Sequence, residues 1–93
     1  MIEEDELCEI VVVANKRGLH ARAAAKFVKL AGSFSAEVAV TKEDMRVSAC
    51  SIMGLMMLAA TQGSTLNICA HGAQAVDALD ALTDLVKRKF DEE

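Results

Sequence analysis

Ninety-three residues suit one domain, which would bury roughly 60–65% of the surface its unfolded chain exposes, enough for a core but not for a large internal cavity. Apolar residues make up 53% of the chain, yet the aromatics are three Phe with no Trp or Tyr, so the core must be aliphatic and filled with Ala and Met. A net charge of -4 and the absence of Trp and Tyr speak against nucleic acid; the apolar run from Ile52 to Ala60 is too short to span a bilayer, and the acidic start MIEEDEL lacks the basic-then-apolar order expected of a signal peptide.

LCEIVVVA (7–14) is β-branched and apolar and reads as a first strand, although either parity leaves it mostly apolar. Cys8 within it, Cys50 and Cys69 form an odd set without a CxxC spacing. Neither a disulfide framework nor a zinc ribbon is expected from them, and a reducing cytoplasm is the simplest setting. From Ala21 helix formers take over, with Ala23 or Ala24, Phe27, Leu30 and Ala31 on one face and Arg22, Lys26 and Lys29 on the other. Gly32 is a good helix-ending residue.

SAEVAVT (35–41) then alternates with period two, KED turns the chain, and MRVSAC (45–50) alternates again, a hairpin pattern. Ser51 stands at an N-cap position before IMGLMMLAA, a short second helix. After a turn at QGS (62–64), TLNICAH (65–71) alternates Leu66, Ile68 and Ala70 against Thr65, Asn67, Cys69 and His71. A last helix, roughly residues 73 to 90, is expected to bury Val76, Leu79, Leu82, Val86 and Phe90. Its acidic residues come early and its basic ones late, the order that complements its dipole. The order β-α-β-β-α-β-α, with one polar face on strands two to four, predicts an α/β (α+β) open-faced sandwich of two layers: helices cover one side of an antiparallel sheet in a single domain over residues 1–93.

Charge is unevenly spread. An acidic extension (residues 1–6) opens the chain and Asp91, Glu92 and Glu93 close it as an acidic tail, but no acidic residue lies between Glu9 and Glu37. Lys16, Arg17, Arg22, Lys26 and Lys29 all fall in that gap, which invites an anionic ligand or an acidic partner surface. In the same stretch, NKRGLHARAAAKF places His20 at or beside the N-cap of the first helix. The first N–H groups of a helix have no internal partner, and its dipole adds about half a positive charge there. Arg22 can bring a guanidinium to the same spot, and Gly18 lets the turn approach closely. Such a positive site suits a phosphate better than a metal. Imidazole can also accept a phosphoryl group reversibly at neutral pH.

GLHARAAAKFVKLA, with SIMGLMMLA beginning 31 positions after the histidine, resembles the HPr family, the histidine-containing phosphocarriers of the bacterial phosphotransferase system. The resemblance runs from Cys8 to Phe90. It implies that His20 is the phosphoryl acceptor at Nδ1, that Arg22 steadies the phosphate, and that the sheet order is 1-4-2-3. It further implies Enzyme I as donor, charged from phosphoenolpyruvate, IIA-type proteins as recipients, and Ser51 as the regulatory target of an HPr kinase/phosphorylase. Partner docking is expected at Arg17, Lys26, Lys29, Ile52, Met53 and Met56. The chain departs from the family pattern at Ala23, where many members have proline, at Cys50, where lysine is frequent, and in its longer acidic start. Ala23 frees one more N–H and loosens the turn; with the acidic start it points toward the nitrogen-related branch.

Plainer readings stand beside these. His71 near Cys69 could hint at a metal pair, but two ligands without a third make no site, so neither a metal nor a cofactor is expected. Met53, Met56 and Met57 could be core, yet a nine-residue apolar helix has more apolar surface than one buried face can use, so part of it should be an exposed docking patch. An enzyme reading fails for lack of a second acid or base near His20 and of room for a substrate cavity. The expected protein is a monomeric carrier; the alternative is a purely regulatory binding module whose phosphorylation state is read by partners.

Overall fold

The computed structural model describes residues 6–92. Within the acidic extension and tail, Glu3, Glu4, Asp5 and Glu93 lie outside the described residues. Four strands, β1 (Leu7–Val12), β2 (Glu37–Lys42), β3 (Met45–Ser48) and β4 (Thr65–His71), form one antiparallel sheet in the order β1-β4-β2-β3. Helices α1 (Ala21–Ala31), α2 (Ile52–Met57) and α3 (Ala75–Lys87) are joined at the end by a short 3-10 turn, Lys89–Asp91. The order of strands and helices is the one read from the sequence, and the sheet order is the one the family resemblance implies.

Alternation decides which side of the sheet is covered. Val38 and Val40 of β2 and Leu66, Ile68 and Ala70 of β4 are buried beneath the helices, together with Phe27 of α1, Leu55 of α2 and Leu82 and Val86 of α3. On β1 the ambiguity resolves with Val11 inward and Cys8, Ile10 and Val12 outward. Tight turns close the strands: Glu43 takes the left-handed conformation between β2 and β3, at φ 55.

Four expectations are corrected. Helix α2 ends at Met57 instead of running on to Ala60, because the chain turns left-handed at Ala59, φ 52. Val76 is 58% exposed, because Ala75, Ala78, Leu79, Leu82, Leu85 and Val86 already make the buried stripe of α3 and Val76 falls outside it. The helix itself ends at Lys87, and Phe90 reaches the core from the 3-10 turn instead. Cys8 and Cys69 are joined in a disulfide, contrary to the expectation of none. The antiparallel register of β1 on β4 puts the two residues directly opposite one another, with Cα atoms 4.0 Å apart, although 61 positions separate them in sequence. Only long-range pairing brings them together. Cys50 remains a free, exposed thiol.

Candidate functional site

The turn before α1 is fastened from two sides. Asn15 is 2% exposed and donates from Nδ2 to the Gly18 carbonyl at 2.8 Å, while the Gly18 N–H returns to the Asn15 carbonyl at 3.2 Å. Gly18 adopts φ +65 and lies so close to the segment after α2 that a Cβ there would stand 2.3 Å from the Ala60 carbonyl oxygen. The next residue, Leu19, donates its N–H to that same oxygen at 2.9 Å.

His20 follows as the N-cap of α1, extended at φ -77 and ψ 179, with its carbonyl accepting from the Ala24 N–H at 2.8 Å. The His20 side chain makes no capping hydrogen bond and no acidic residue lies in the first turn, so among the described residues the terminal N–H groups and the positive end of the dipole stay open. Lys16, Arg17 and Arg22 are exposed around it. Lys16, Arg17 and Lys89 also line a groove of about 460 Å³ that reaches Glu92. The fixed field here is positive.

The chain's other end completes the site. Lys89, Phe90 and Asp91 run left-handed at φ 62, 55 and 63, a conformation that costs about 1–2 kcal/mol per non-glycine residue. Burial of the Phe90 ring offsets part of this, and side chains fix the rest. Arg88 binds both Asp84 and Asp91, and Lys26 donates to the Phe90 carbonyl at 3.0 Å. The reversal carries Glu92 back across the turn. Its Oε1 accepts from Asn15 Nδ2 at 2.9 Å and its Oε2 meets His20 Nε2. The His20 and Glu92 side chains are 16% and 24% exposed, so the pair is sheltered but reachable. The hydrogen bond from His20 above all, then that from Asn15 and the charge of Arg17, holds the Glu92 carboxyl below its ordinary range, against the opposing effect of desolvation.

Ser51 caps α2 as expected, its Oγ accepting the Gly54 N–H at 2.8 Å. Leu55 alone in this helix is buried; Ile52, Met53, Met56 and Met57 are exposed, with Met53 at 70%. Since α1 packs on α2, His20 and this apolar patch share one helical layer. Lys29 is exposed on α1, whereas Lys26 is partly engaged by the tail through Phe90 and Asp91. His71 lies elsewhere, on the open face of the sheet against Glu37 at 3.1 Å. Cys69 beside it is bonded to Cys8, so that face offers no thiolate pair while the disulfide stands.

Sequence reasoning missed Asn15 and Glu92. Their contacts with one another and with His20 span 77 and 72 positions, and an acidic tail reads as a solubilising end. The one available signal was negative: a helix start with no acidic neighbour leaves any carboxylate partner to come from a distant segment.

Comparison with known proteins finds clear relatives. A family profile described as "PTS HPr component phosphorylation site" matches residues 8–88. The phosphocarrier protein HPr of Neisseria meningitidis serogroup A is 49% identical over 86 residues, covering 92% of this chain and 97% of the relative. The phosphocarrier protein NPr of Shewanella violacea is 45% identical over 82 residues, covering 88% and 90%. The crystal structure of HPr-C-His from Thermoanaerobacter tengcongensis superposes with a TM-score of 0.89 at 42% identity, covering 94% of this chain and 98% of that one. The chain thus belongs to the HPr family and is a phosphocarrier of the phosphotransferase system, not an enzyme.

Proposed function

We propose that His20 is the residue that carries the phosphoryl group, taking it at Nδ1 from phosphorylated Enzyme I and handing it to IIA-type proteins. One observation carries this reading: His20 stands at an uncapped helix N-terminus, partly exposed, with Nε2 engaged by Glu92 and with Arg17 and Arg22 close in sequence. The Nδ1 lone pair attacks phosphorus while the bond to the donor breaks. The open N–H groups of α1 and the Arg22 guanidinium stabilise the charge spread over the transferring oxygens. A carrier must release what it binds, and a site that keeps partial access to solvent avoids too deep a well.

Docking follows from the same layer. Ile52, Met53 and Met56 present an apolar surface to Enzyme I, with Arg17, Lys26 and Lys29 as its charged rim. Phosphorylation of Ser51 by an HPr kinase/phosphorylase would add about -1.5 to -2 charges beside that surface while leaving the helix cap compatible with the fold. We read residues 1–93 as a single monomeric unit working in the cytoplasm, where the Cys8–Cys69 bond would face a reducing thiol pool. The decisive experiment is a chase. Phosphate loaded on the protein from labelled phosphoenolpyruvate and Enzyme I should pass to a IIA acceptor at a rate matching its loading. Label that loads but never leaves would favour a purely regulatory module.

A further inference from the structure

We propose that Glu92 is the positioning residue of His20: its carboxylate holds the Nε2 proton, keeps Nδ1 as the nucleophilic nitrogen, and balances the positive charge the ring gains when Nδ1 takes the phosphoryl group. This rests on the reading of His20 as the phosphoryl acceptor and adds to it a residue from the far end of the chain. A neutral imidazole has one nitrogen that donates and one that accepts, whereas an ionised carboxylate only accepts. A carboxylate seated on Nε2 therefore requires the proton there and leaves the lone pair on Nδ1.

The seat is built rather than incidental. Asn15 is almost fully buried and uses both hydrogens of its amide, one on the Gly18 carbonyl and one on Glu92 Oε1 at 2.9 Å. The turn that positions His20 thereby also positions the carboxylate that meets it. Three consecutive left-handed residues, the buried Phe90 ring, and the clamps from Arg88 and Lys26 bring Glu92 to that point. A solubilising tail requires none of this.

The transfer step needs no additional proton carrier. The Nδ1 lone pair forms the N–P bond and the donor's bond to phosphorus breaks, returning its electron pair to the donor. The ring becomes a phosphorylated imidazolium that retains its Nε2 proton, and Glu92 faces that proton throughout. Keeping the ring in this protonated form also keeps its nitrogen a good leaving group, so the same contact serves release to the acceptor, when the electron pair returns to Nδ1.

The test compares wild type with Glu92→Gln, which keeps the shape and removes the charge, and with Glu92→Ala. Nitrogen NMR of His20 reports which ring nitrogen bears the proton, a quantity that loss of mere tail packing would not move. The wild type should show Nε2 protonated; in Glu92→Ala the two nitrogen shifts should move toward one another. The kcat for loading by Enzyme I should fall about tenfold or more in Glu92→Ala and less in Glu92→Gln, with KM unchanged. Unchanged ring shifts with wild-type kcat, or faster loading in either variant, would overturn the role of Glu92 while leaving His20 as acceptor intact. Absence of label from Nδ1 of wild-type His20 would overturn the underlying reading instead, and this inference with it.

Discussion

Replacing Ser51 by aspartate separates its two structural roles, because stability and docking should move independently. As N-cap, Ser51 accepts the Gly54 N–H at 2.8 Å, a bond an aspartate oxygen can also accept, and a negative charge suits a helix N-terminus. Thermal stability of Ser51→Asp should therefore match wild type, whereas Ser51→Ala loses the cap, about 1 kcal/mol, and some 4–8 °C in Tm. Docking reverses the ranking. The aspartate sits next to Ile52 and Met53, both exposed and both expected to be covered by Enzyme I. Desolvating an unpaired carboxylate there should cost about 2–3 kcal/mol, which is about a 30- to 150-fold rise in KM. Repulsion of the phosphate on His20 is the smaller effect: a carboxylate and a doubly charged phosphate on the order of 10 Å apart in water repel by only ~0.8 kcal/mol, and His20 and Ser51 cap different helices. Steady-state loading at low salt and at about 0.5 M salt, where the Debye length is about 4 Å, distinguishes the two. KM should stay high in salt, with KM of Ser51→Ala near wild type. Rescue by salt, or a large loss of stability in Ser51→Asp, would refute this reasoning.

Three further outcomes follow from the geometry. Gly18→Ala should cost about 2–3 kcal/mol, from left-handed strain plus the Leu19–Ala60 hydrogen bond its Cβ would displace; a urea midpoint equal to wild type would show that the turn is not docked as described. Reducing the Cys8–Cys69 bond should lower stability by up to about 4 kcal/mol, given the 61-residue separation it closes, while far-UV circular dichroism stays unchanged; equal urea midpoints with and without reductant would contradict it. Glu92 and Asp91 are held below the ordinary carboxylate range, Glu92 chiefly by His20 and Asp91 chiefly by Arg88. They bind fewer protons folded than unfolded, so their stabilisation is complete above about pH 4.5 and drains as pH falls through their folded values. Between about pH 4.5 and 3 the wild type should lose stability more steeply than Glu92→Gln, and parallel curves would count against the pairing.

What could be read from the sequence were patterns with short periods. Alternation in β2 and β3, the Ser51 cap and the face of α1 all depend on residues within a few positions of one another, and each stands as expected, whereas β4 departs from alternation at Cys69, which is buried although it was expected on the open face. Strand β1 is apolar on both parities, so only its pairing with β4 decides that Val11 faces in and Cys8 out. The same pairing creates the disulfide that counting cysteines argued against. The C-terminal turn was illegible for a different reason. Lys89 and Phe90 are poor candidates for left-handed backbone by residue type, and the buried Phe90 with its clamps overrides that preference. The basic half of the site lay open in NKRGLHAR, but its carboxylate half arrives from the opposite end of the chain.

The central claim is that the phosphoryl group resides on Nδ1 of His20. Incubation with Enzyme I and labelled phosphoenolpyruvate, followed by mapping of the label in wild type and in His20→Ala, tests it directly. The wild type should carry one acid-labile, alkali-stable phosphate on His20 at Nδ1. His20→Ala should take up none while melting close to wild type, since an N-cap change costs only about 0.5–2 kcal/mol. Acid-labile label in His20→Ala, at His71 or elsewhere, would contradict the account.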